Sequence, residues 1–509
     1  MNTRQKNRIF QGLIDILCLA LGAGLVLAFA PFHWGVMALI APAAATYIWL
    51  RSPSLKRAVW RGLLFGVGEF GFGVSWIYVS IARYGNTEIW VAVLCTALFV
   101  LANSLCPIVA AYVLKRFCRP KALSTYLLAF PLVWTVIEII QGMVVLGGFT
   151  WLLLGYSQTH TFLSGYAPLL GIYGVSFIVC LAAGSFIGLW LANGWRQLGC
   201  FVLLFGLVLC GYGLNHLHWT QRFGKRVNVT LVQGNIPQNL KWNPGLLSQI
   251  LQRYWHLSLP ALSDHLVFWP ENAIPVFPQQ VPAFFRSLNQ QVSNHNAALL
   301  TGLPIYHANT RQYFNGARVF GLGHGTYLKH QLVPFGEYVP FATFFGKALQ
   351  FLHVPMSNFS AGPAVPKLIK MKGHAVDVFI CYEIAFSRNV RRVVSHINPS
   401  FIAVLSDDGW FGHSFGPFQQ TQISQMEALA TGKYVVTATN NGVTAIINNQ
   451  GEIIKTAKPF QTAVLTGKVE LRRGETPWVR YGFWPLGLLL LLWLCWLAVL
   501  QWPKGPESS

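Results

Sequence analysis

The group in this chain best suited to covalent chemistry is a cysteine at the end of an apolar stretch, Phe379-Ile380-Cys381-Tyr382-Glu383. A thiolate attacks acyl carbons and leaves a thioester, which an amine or water then opens. Nine cysteines are present; eight (Cys18, Cys95, Cys106, Cys118, Cys180, Cys200, Cys210 and Cys495) lie in or beside long apolar runs. There a free thiol behaves as a small apolar side chain. Cys381 alone lies in the polar block 216–481, so it has no intradomain disulfide partner. A lone thiol in an oxidising compartment is a liability unless it is used, and a buried structural cysteine is the competing reading. Candidate partners are few because charges are few. Glu271 sits in Phe268-Trp269-Pro270-Glu271-Asn272, and Lys329 and Glu337 lie eight positions apart in one segment. Together they suit nucleophilic acyl transfer: Glu271 accepts the thiol proton, Lys329 stabilises a tetrahedral oxyanion and Cys381 carries the acyl group. Singly, a Lys or Glu is usually just solvated.

The elements that must position these residues are legible from periodicity. Short β-branched or aromatic runs occur at 226–233, 265–269, 297–303, 376–381, 400–406, 434–439 and 443–448, with helical stretches at 246–259, 280–294 and 418–431. Strands alternating with helices predict an α/β layered domain. The mostly continuous apolar runs predict sheets buried on both faces. Glu271 and Cys381 would each follow a strand end.

The rest of the chain is of another kind. Its 509 residues are 53% hydrophobic and 10% charged, against roughly 25% charged in soluble domains. That excludes a disordered chain, a disulfide-stapled miniprotein and an ordinary cytosolic enzyme. Apolar segments at about 11–30, 34–50, 62–82, 89–114, 123–147, 167–193, 198–214 and 483–502 can each cross a ~30 Å hydrocarbon core. The expected organisation is a seven-helix transmembrane domain over 1–215, an outer catalytic domain over 216–481, and an eighth helix with a short tail over 482–509. Basic residues gather at alternate turns: Arg4, Lys6 and Arg8; Arg51, Lys56, Arg57 and Arg61; Lys115, Arg116, Arg119 and Lys121; Arg196; Lys504. The positive-inside rule then places both termini in the cytoplasm and 216–481 outside, in the periplasm of a double-membrane bacterium. The first apolar run has the look of a signal peptide, but its length and the span that follows predict retention. Asp15, Glu69 and Glu138 fall within spans, where local helix–helix hydrogen bonding or an interfacial position is expected, and nothing pairs them with intramembrane cations in a proton-relay pattern. The formal charge of +21 divides into 23 Lys and Arg against 11 Asp and Glu in 216–481, and span-flanking residues elsewhere. No basic run is interleaved with aromatics, so a face toward anionic lipid is expected rather than nucleic-acid binding.

Three ordered motifs carry a resemblance. Trp269-Pro270-Glu271-Asn272-Ala273, the Lys329–Glu337 segment ending in PFGEYVP, and Cys381-Tyr382-Glu383 resemble the nitrilase (carbon–nitrogen hydrolase) superfamily. Joined to the spans, they are similar to its membrane-bound branch, the bacterial apolipoprotein N-acyltransferase family. Supporting stretches are Val232-Gln233-Gly234-Asn235-Ile236-Pro237 with Lys241-Trp242, Gly73-Val74-Ser75-Trp76-Ile77-Tyr78, Asp408-Gly409-Trp410-Phe411-Gly412 and Ala438-Thr439-Asn440-Asn441-Gly442. The likeness covers nearly the whole chain.

The resemblance implies a polytopic α-helical membrane domain of about eight helices joined to an αββα sandwich. It assigns Glu271 as general base, Lys329 as oxyanion stabiliser and Cys381 as nucleophile, with Glu337, Tyr382 and Glu383 supporting. Trp242 and Trp410 match tryptophans of loops around the site. It implies a ping-pong reaction: the sn-1 acyl chain of a phospholipid such as phosphatidylethanolamine passes through a thioester to the N-terminal amine of an S-diacylglyceryl-cysteine apolipoprotein, in the inner membrane. A monomer is expected. No cofactor or metal is expected, and His256, His265 and His324 read as structural or surface residues. Phe341-Ala342-Thr343-Phe344-Phe345 and Phe351-Leu352 could dip into lipid or belong to the core. The sequence departs from the family at Asp407-Asp408 for the usual Asn-Asp, at Gln420, Gln425, Lys433 and Thr437, and at Thr150 in Gly148-Phe149-Thr150-Trp151. None touches the triad, and donor and acceptor preference is where they bear. A membrane-tethered amidase with the same triad, and a transporter with a ligand-binding outer domain, are the rival readings.

Overall fold

A computed structural model describes residues 2–85, 87–144, 147–338 and 358–501. The chain forms two compact units. One comprises Met1–Ser75, Leu94–Leu217 and Tyr481–Ser509; the other comprises Trp76–Val93 and His218–Arg480. Residues 76–93, which lie within and between the third and fourth apolar segments, thus group with the sheet-bearing unit.

The first unit is helical. Five helices are long and apolar enough to cross a membrane: Thr3–Ala28, Ile89–Phe117, Thr125–Met143, Phe162–Leu191 and Trp195–Asn215. A sixth is counted if Leu55–Gly73 and its bent continuation Trp76–Tyr84 are taken together. Met37–Leu50 and Trp484–Gln501 have 14 and 18 residues, only ~21 and ~27 Å of helix. The eight expected spans are therefore five or six helices of spanning length plus two shorter ones among the described residues. Hydropathy does not register where a helix breaks: the second apolar run begins in non-helical turns, and the third is interrupted at Val74-Ser75.

Small residues let the first helices approach closely, as membrane helices do. A Cβ at Gly22 would stand 1.9 Å from the Phe65 carbonyl oxygen, and one at Gly68 2.1 Å from that of Leu19. Asp15 is paired with two cations of helix Leu55–Gly73. Its Oδ1 accepts from Arg61 Nε at 2.9 Å, its Oδ2 lies 2.5 Å from Arg57, and Arg61 also donates to Ser52 and Gln11. Both also belong to the basic cluster between the second and third apolar runs. Glu138 instead accepts from Trp134 Nε1 at 3.0 Å and Leu154 N at 2.9 Å, the local hydrogen bonding expected for a span carboxyl.

The second unit is built on two large sheets, with a small antiparallel pair, Gln221–Arg222 against Arg472–Arg473, beside them; the numbered strands are those of the large sheets. In chain order the strands are β1 (Val227–Gln233), β2 (Leu266–Phe268), β3 (Ala298–His307), β4 (Gln312–Gly321), β5 (Gly323–His324) and β6 (Thr326–Leu328). They continue as β7 (Ile369–Met371), β8 (His374–Ile380), β9 (Phe401–Ser406), β10 (Val435–Thr439), β11 (Ala445–Ile447), β12 (Ile453–Thr456) and β13 (Ala463–Val469). One sheet runs β13-β1-β2-β3-β4-β6 and the other β12-β11-β10-β9-β8-β7-β5. β1, β2 and β3 are mutually parallel, as are β8, β9 and β10.

Alternation along each strand divides the side chains between two cores. Val229, Leu231, Leu266, Phe268, Ala298 and Leu300 meet Val376, Val378, Ile380, Phe401, Ala403 and Leu405 between the sheets. Val232, Val267 and Leu299 face the other way, onto Ile250, Leu251, Tyr254, Leu288 and Val292 of helices Leu247–Ser258 and Pro282–Asn294. Helices Ser387–Ile397 and Gly416–Thr431 cover the second sheet. The result is helix, sheet, sheet, helix.

All seven expected strands and three expected helices form. β4 escapes the sequence reading because Asn315, Gly316, Arg318 and Gly321 interrupt its apolar pattern, and its ten-pair antiparallel register with β3 defines it instead. Helix Gly416–Thr431 is buried almost throughout and encloses Glu427, which is 0% exposed, with no close hydrogen-bond partner on either carboxyl oxygen among the described residues. Burial pushes this carboxyl from 4.5 up to about 8, with the nearby Ser387 hydroxyl acting the other way. Between those pH values the unfolded chain releases this proton and the folded chain keeps it, so stability falls as pH rises. The melting midpoint of the detergent-purified protein is expected to decline from pH 5 to pH 8, and Glu427→Gln to flatten that decline. An equal decline in the variant would show Glu427 to be ionised in the fold.

Candidate active site

Parallel strands end together, and in layered α/β folds their carboxyl ends are where side chains converge on ligands. Here β2 runs into Glu271, β8 into Cys381, β9 into Asp407 and β10 into Asn440, while Lys329 follows β6. Cys381 opens the turn Cys381–Ala385 with φ of 56°. A β-substituted residue there costs on the order of 1–3 kcal/mol and persists only when its surroundings impose it. Glu383 supplies that constraint. Its buried carboxylate accepts from Tyr327 OH, His330 N, Gln331 N and Ile380 N, each at 2.8 Å, tying the strand end and the turn to the segment after Lys329.

Lys329 is 1% exposed and sits between two carboxylates, 2.9 Å from Glu337 Oε1 and 3.6 Å from Glu271 Oε1. Asn315 on β4 bridges the same two oxygens, donating from Nδ2 at 2.7 Å to each. Val333 N holds the other Glu337 oxygen at 2.8 Å, and Asp407 N holds Glu271 Oε2 at 3.1 Å. The Lys329 ammonium lies 5.8 Å from the centre of the Tyr382 ring, whose hydroxyl donates to Leu332 O at 2.6 Å. The loop carrying Glu271 is pressed onto Gly302 of β3. A Cβ there would come within 2.7 Å of the backbone at Pro270, Glu271 and Asn272, so glycine is required for the approach.

These contacts set the ionisation of the site. Burial alone would depress Lys329, but Glu337, Glu271, Cys381 and Glu383 overcome it and hold the ammonium well above its usual range. Glu271 is raised by burial; Lys329 and Asn315 oppose this, while Glu337 and Asp407 add to it. The Cys381 thiol is pushed well up by burial and by Glu271, with Lys329 and Ser406 acting the other way. The site therefore sets a thiol raised well above its usual range beside a raised Glu271 carboxyl and a strongly held Lys329 ammonium. A base beside a protonated nucleophile can activate it in step with attack.

The sequence-derived set is brought together in large part. Glu271, Lys329 and Glu337 share direct contacts, Cys381 interacts electrostatically with Glu271 and Lys329, and Tyr382 and Glu383 brace the turn. Trp242 is half-buried next to Lys241. Trp410 is half-buried in the turn Asp408–Phe411, where its carbonyl accepts from Ser80 Oγ at 2.7 Å and its ring lies 5.5 Å from that of Tyr84. The stretches Phe341-Ala342-Thr343-Phe344-Phe345 and Phe351-Leu352 lie outside the described residues. Of the departures, Gln420 donates to Ser406 Oγ, which in turn donates to Asp408, and Lys433 donates to Asn398 and to the Arg472 carbonyl. Sequence reasoning missed Asn315 and did not place Lys241 or Asp407 at the site. The available signal was polar residues on or beside apolar runs, which say nothing about their partners.

Against known proteins, residues 21–185 match the family model for the apolipoprotein N-acyltransferase N-terminal domain and residues 228–476 that for carbon-nitrogen hydrolase. An apolipoprotein N-acyltransferase of Coxiella burnetii is 42% identical over 94% of this chain and 99% of its own length. The chain belongs to the apolipoprotein N-acyltransferase family. The Pseudomonas aeruginosa apolipoprotein N-acyltransferase is 38% identical over 94% of both chains. Among solved structures, a CN-hydrolase superfamily protein of Xanthomonas campestris matches 48% of this chain and 91% of its own at 16% identity, with a TM-score of 0.37. With its long apolar helices this family member is a membrane protein, and its sheet-bearing unit is the nitrilase-type αββα domain expected from the motifs.

Asn315 offers a test of the geometry. Removing its amide takes a hydrogen bond from the Glu271 carboxylate, which favours the protonated form. Asn315→Ala is expected to move the acid limb of thioester formation to higher pH and to slow it roughly 10-fold at neutral pH. An unchanged pH profile would detach Glu271 from the proton transfer.

Proposed function

We propose that this protein transfers an acyl chain from a phospholipid to the N-terminal amine of S-diacylglyceryl-cysteine apolipoproteins, completing their maturation. The observation that carries the reading is the buried set in which Lys329 lies between Glu271 and Glu337, with Cys381 on an imposed left-handed turn beside them. Glu271 takes the Cys381 proton as sulfur attacks the sn-1 ester carbonyl of a donor such as phosphatidylethanolamine. Lys329 stabilises the oxyanion, a role that a buried ammonium fills better than a solvated one. Collapse of the tetrahedral species breaks the ester C–O bond. Glu271 returns the proton to the departing oxygen, a lysophospholipid leaves, and the thioester remains.

The second half reverses the roles. The acceptor's α-amine, with a pKa near 7.7–8.0, is partly neutral at pH 7. It attacks the thioester carbon, Glu271 takes the amine proton, and the Cys381 sulfur leaves and is reprotonated as the amide forms. Glu337 holds Lys329 in place, Tyr382 and Glu383 shape the turn, and Trp242 and Trp410 belong to loops that admit the substrates. Both substrates are membrane-anchored, which suits a domain connected at each end to apolar helices. Excluding water from the site favours the amine acceptor over hydrolysis. The distribution of Lys and Arg supports an inner-membrane protein with both termini cytoplasmic and the sheet-bearing unit in the periplasm. One chain carries all these groups, so the reading requires no second copy.

Intact mass spectrometry of the membrane-purified protein tests this directly. The wild type incubated with phosphatidylethanolamine and no acceptor is expected to gain the mass of one acyl chain, to lose it on hydroxylamine treatment, and to show none in Cys381→Ala. An unmodified wild type that turns over a soluble amide would replace the acyltransferase with an amidase.

A further inference from the structure

A second ion pair is buried at the same strand ends, outside the groups the reaction uses. Lys241 and Asp407 are each 2% exposed. Lys241 Nζ donates to Asp407 Oδ2 and, at 2.8 Å, to the backbone carbonyl of Glu271. Asp407 returns to the same residue from the other side, its N–H donating to Glu271 Oε2 at 3.1 Å. The contacts close a ring: Glu271 carbonyl, Lys241 ammonium, Asp407 carboxylate, Asp407 N–H, Glu271 carboxylate. Asn440 Nδ2 fixes the remaining Asp407 oxygen at 3.1 Å, and Asn440 is itself held by Ile236 N at 2.9 Å. Every polar atom of the pair's charged ends therefore points toward Glu271 or toward the strand ends that frame it.

We propose that Lys241 and Asp407 are positioning residues for Glu271, the ammonium fixing the loop that carries the base and the Asp407 N–H aiming its carboxylate, as a pair whose charges cancel. This rests on Glu271 being the base. A buried ion pair does not by itself argue for stability, since apolar replacements often match it. What it supplies here is direction. Asn315 and Lys329 hold Glu271 Oε1 while Asp407 holds Oε2, so the carboxylate is gripped at both oxygens. Cancellation matters because Asp407 alone would be a second negative charge facing the base. The groups facing Glu271 are Lys329, Glu337, Asp407 and the buried Asp408, with the Cys381 thiol; Asp408, itself raised to about 7 by burial, is untouched by the substitutions compared below, and Lys241 acts on Glu271 through Asp407 and the backbone.

Charge-reversing logic separates positioning from simple support. Thioester formation from phosphatidylethanolamine, without acceptor, is measured by intact mass against pH for the full-length wild type, Lys241→Met, Asp407→Asn and the double variant. Lys241→Met leaves Asp407 unpaired, and the acid limb is expected to rise by about one pH unit, with the rate at pH 7 falling roughly 10-fold. Asp407→Asn leaves the cation, and the limb is expected to fall. The double variant is expected to bring the limb back to the wild-type position, a recovery that a merely structural role would not give. Where Lys241→Met does not accumulate in folded form, the Asp407→Asn and double variants decide alone. Superimposable acid limbs would overturn the proposal while leaving acylation intact. Absence of the adduct from the wild type would instead overturn the reading of Glu271 and Cys381 on which it rests.

Discussion

A lysine ammonium with almost no solvent contact is the constraint around which the sheet-bearing unit is arranged. Removing Lys329 from water costs several kcal/mol unless charges and hydrogen bonds replace the hydration. Two carboxylates do so, Glu337 at 2.9 Å and Glu271 at 3.6 Å. Each of these is then a buried anion with its own requirement, met by Asn315 at one oxygen and by a backbone N–H at the other. Satisfying one buried charge thus recruits β4, the loop after β2, the segment after β6 and the end of β9. Charge balance, more than any single contact, explains why residues distant in sequence converge.

The candidate nucleophile depends on the same arrangement. Cys381 is held in a left-handed conformation by the turn that Glu383 anchors, and Glu383 reaches the two backbone N–H groups that immediately follow Lys329. The turn and the lysine are therefore fixed relative to each other through one carboxylate. Burial and Glu271 push the thiol well above its usual range, with Lys329 and Ser406 opposing, and in the proposed reaction Glu271 takes its proton during attack.

The helical unit follows other rules. Close helix contacts at Gly22 and Gly68 replace the apolar burial that stabilises soluble folds. The Asp15, Arg57 and Arg61 cluster shows that a basic residue near a span end can be both a topology signal and a structural partner. A count of Lys and Arg along the sequence distinguishes these roles poorly, because both place cations at the same positions.

The sequence by itself determined the class of the molecule and most of its chemistry. Apolar runs near 20 residues marked the membrane helices, short β-branched or aromatic runs marked the seven expected strands, and three short motifs singled out Glu271, Lys329 and Cys381 as the candidate reacting groups. These are local properties, carried by residues near one another in the chain. Tertiary structure decided what is non-local. β4 exists because β3 offers it a register, not because of its own pattern. Asn315, Lys241 and Asp407 have no signature until the strands that carry them lie side by side. The run over 62–82 reads as one span because hydropathy sums composition, whereas the break at Val74-Ser75 depends on what the following residues pack against: Trp76 against Phe411 and Gln419, and Ser80 against Trp410. Composition fixes where a segment can be stable, and packing partners fix where it ends.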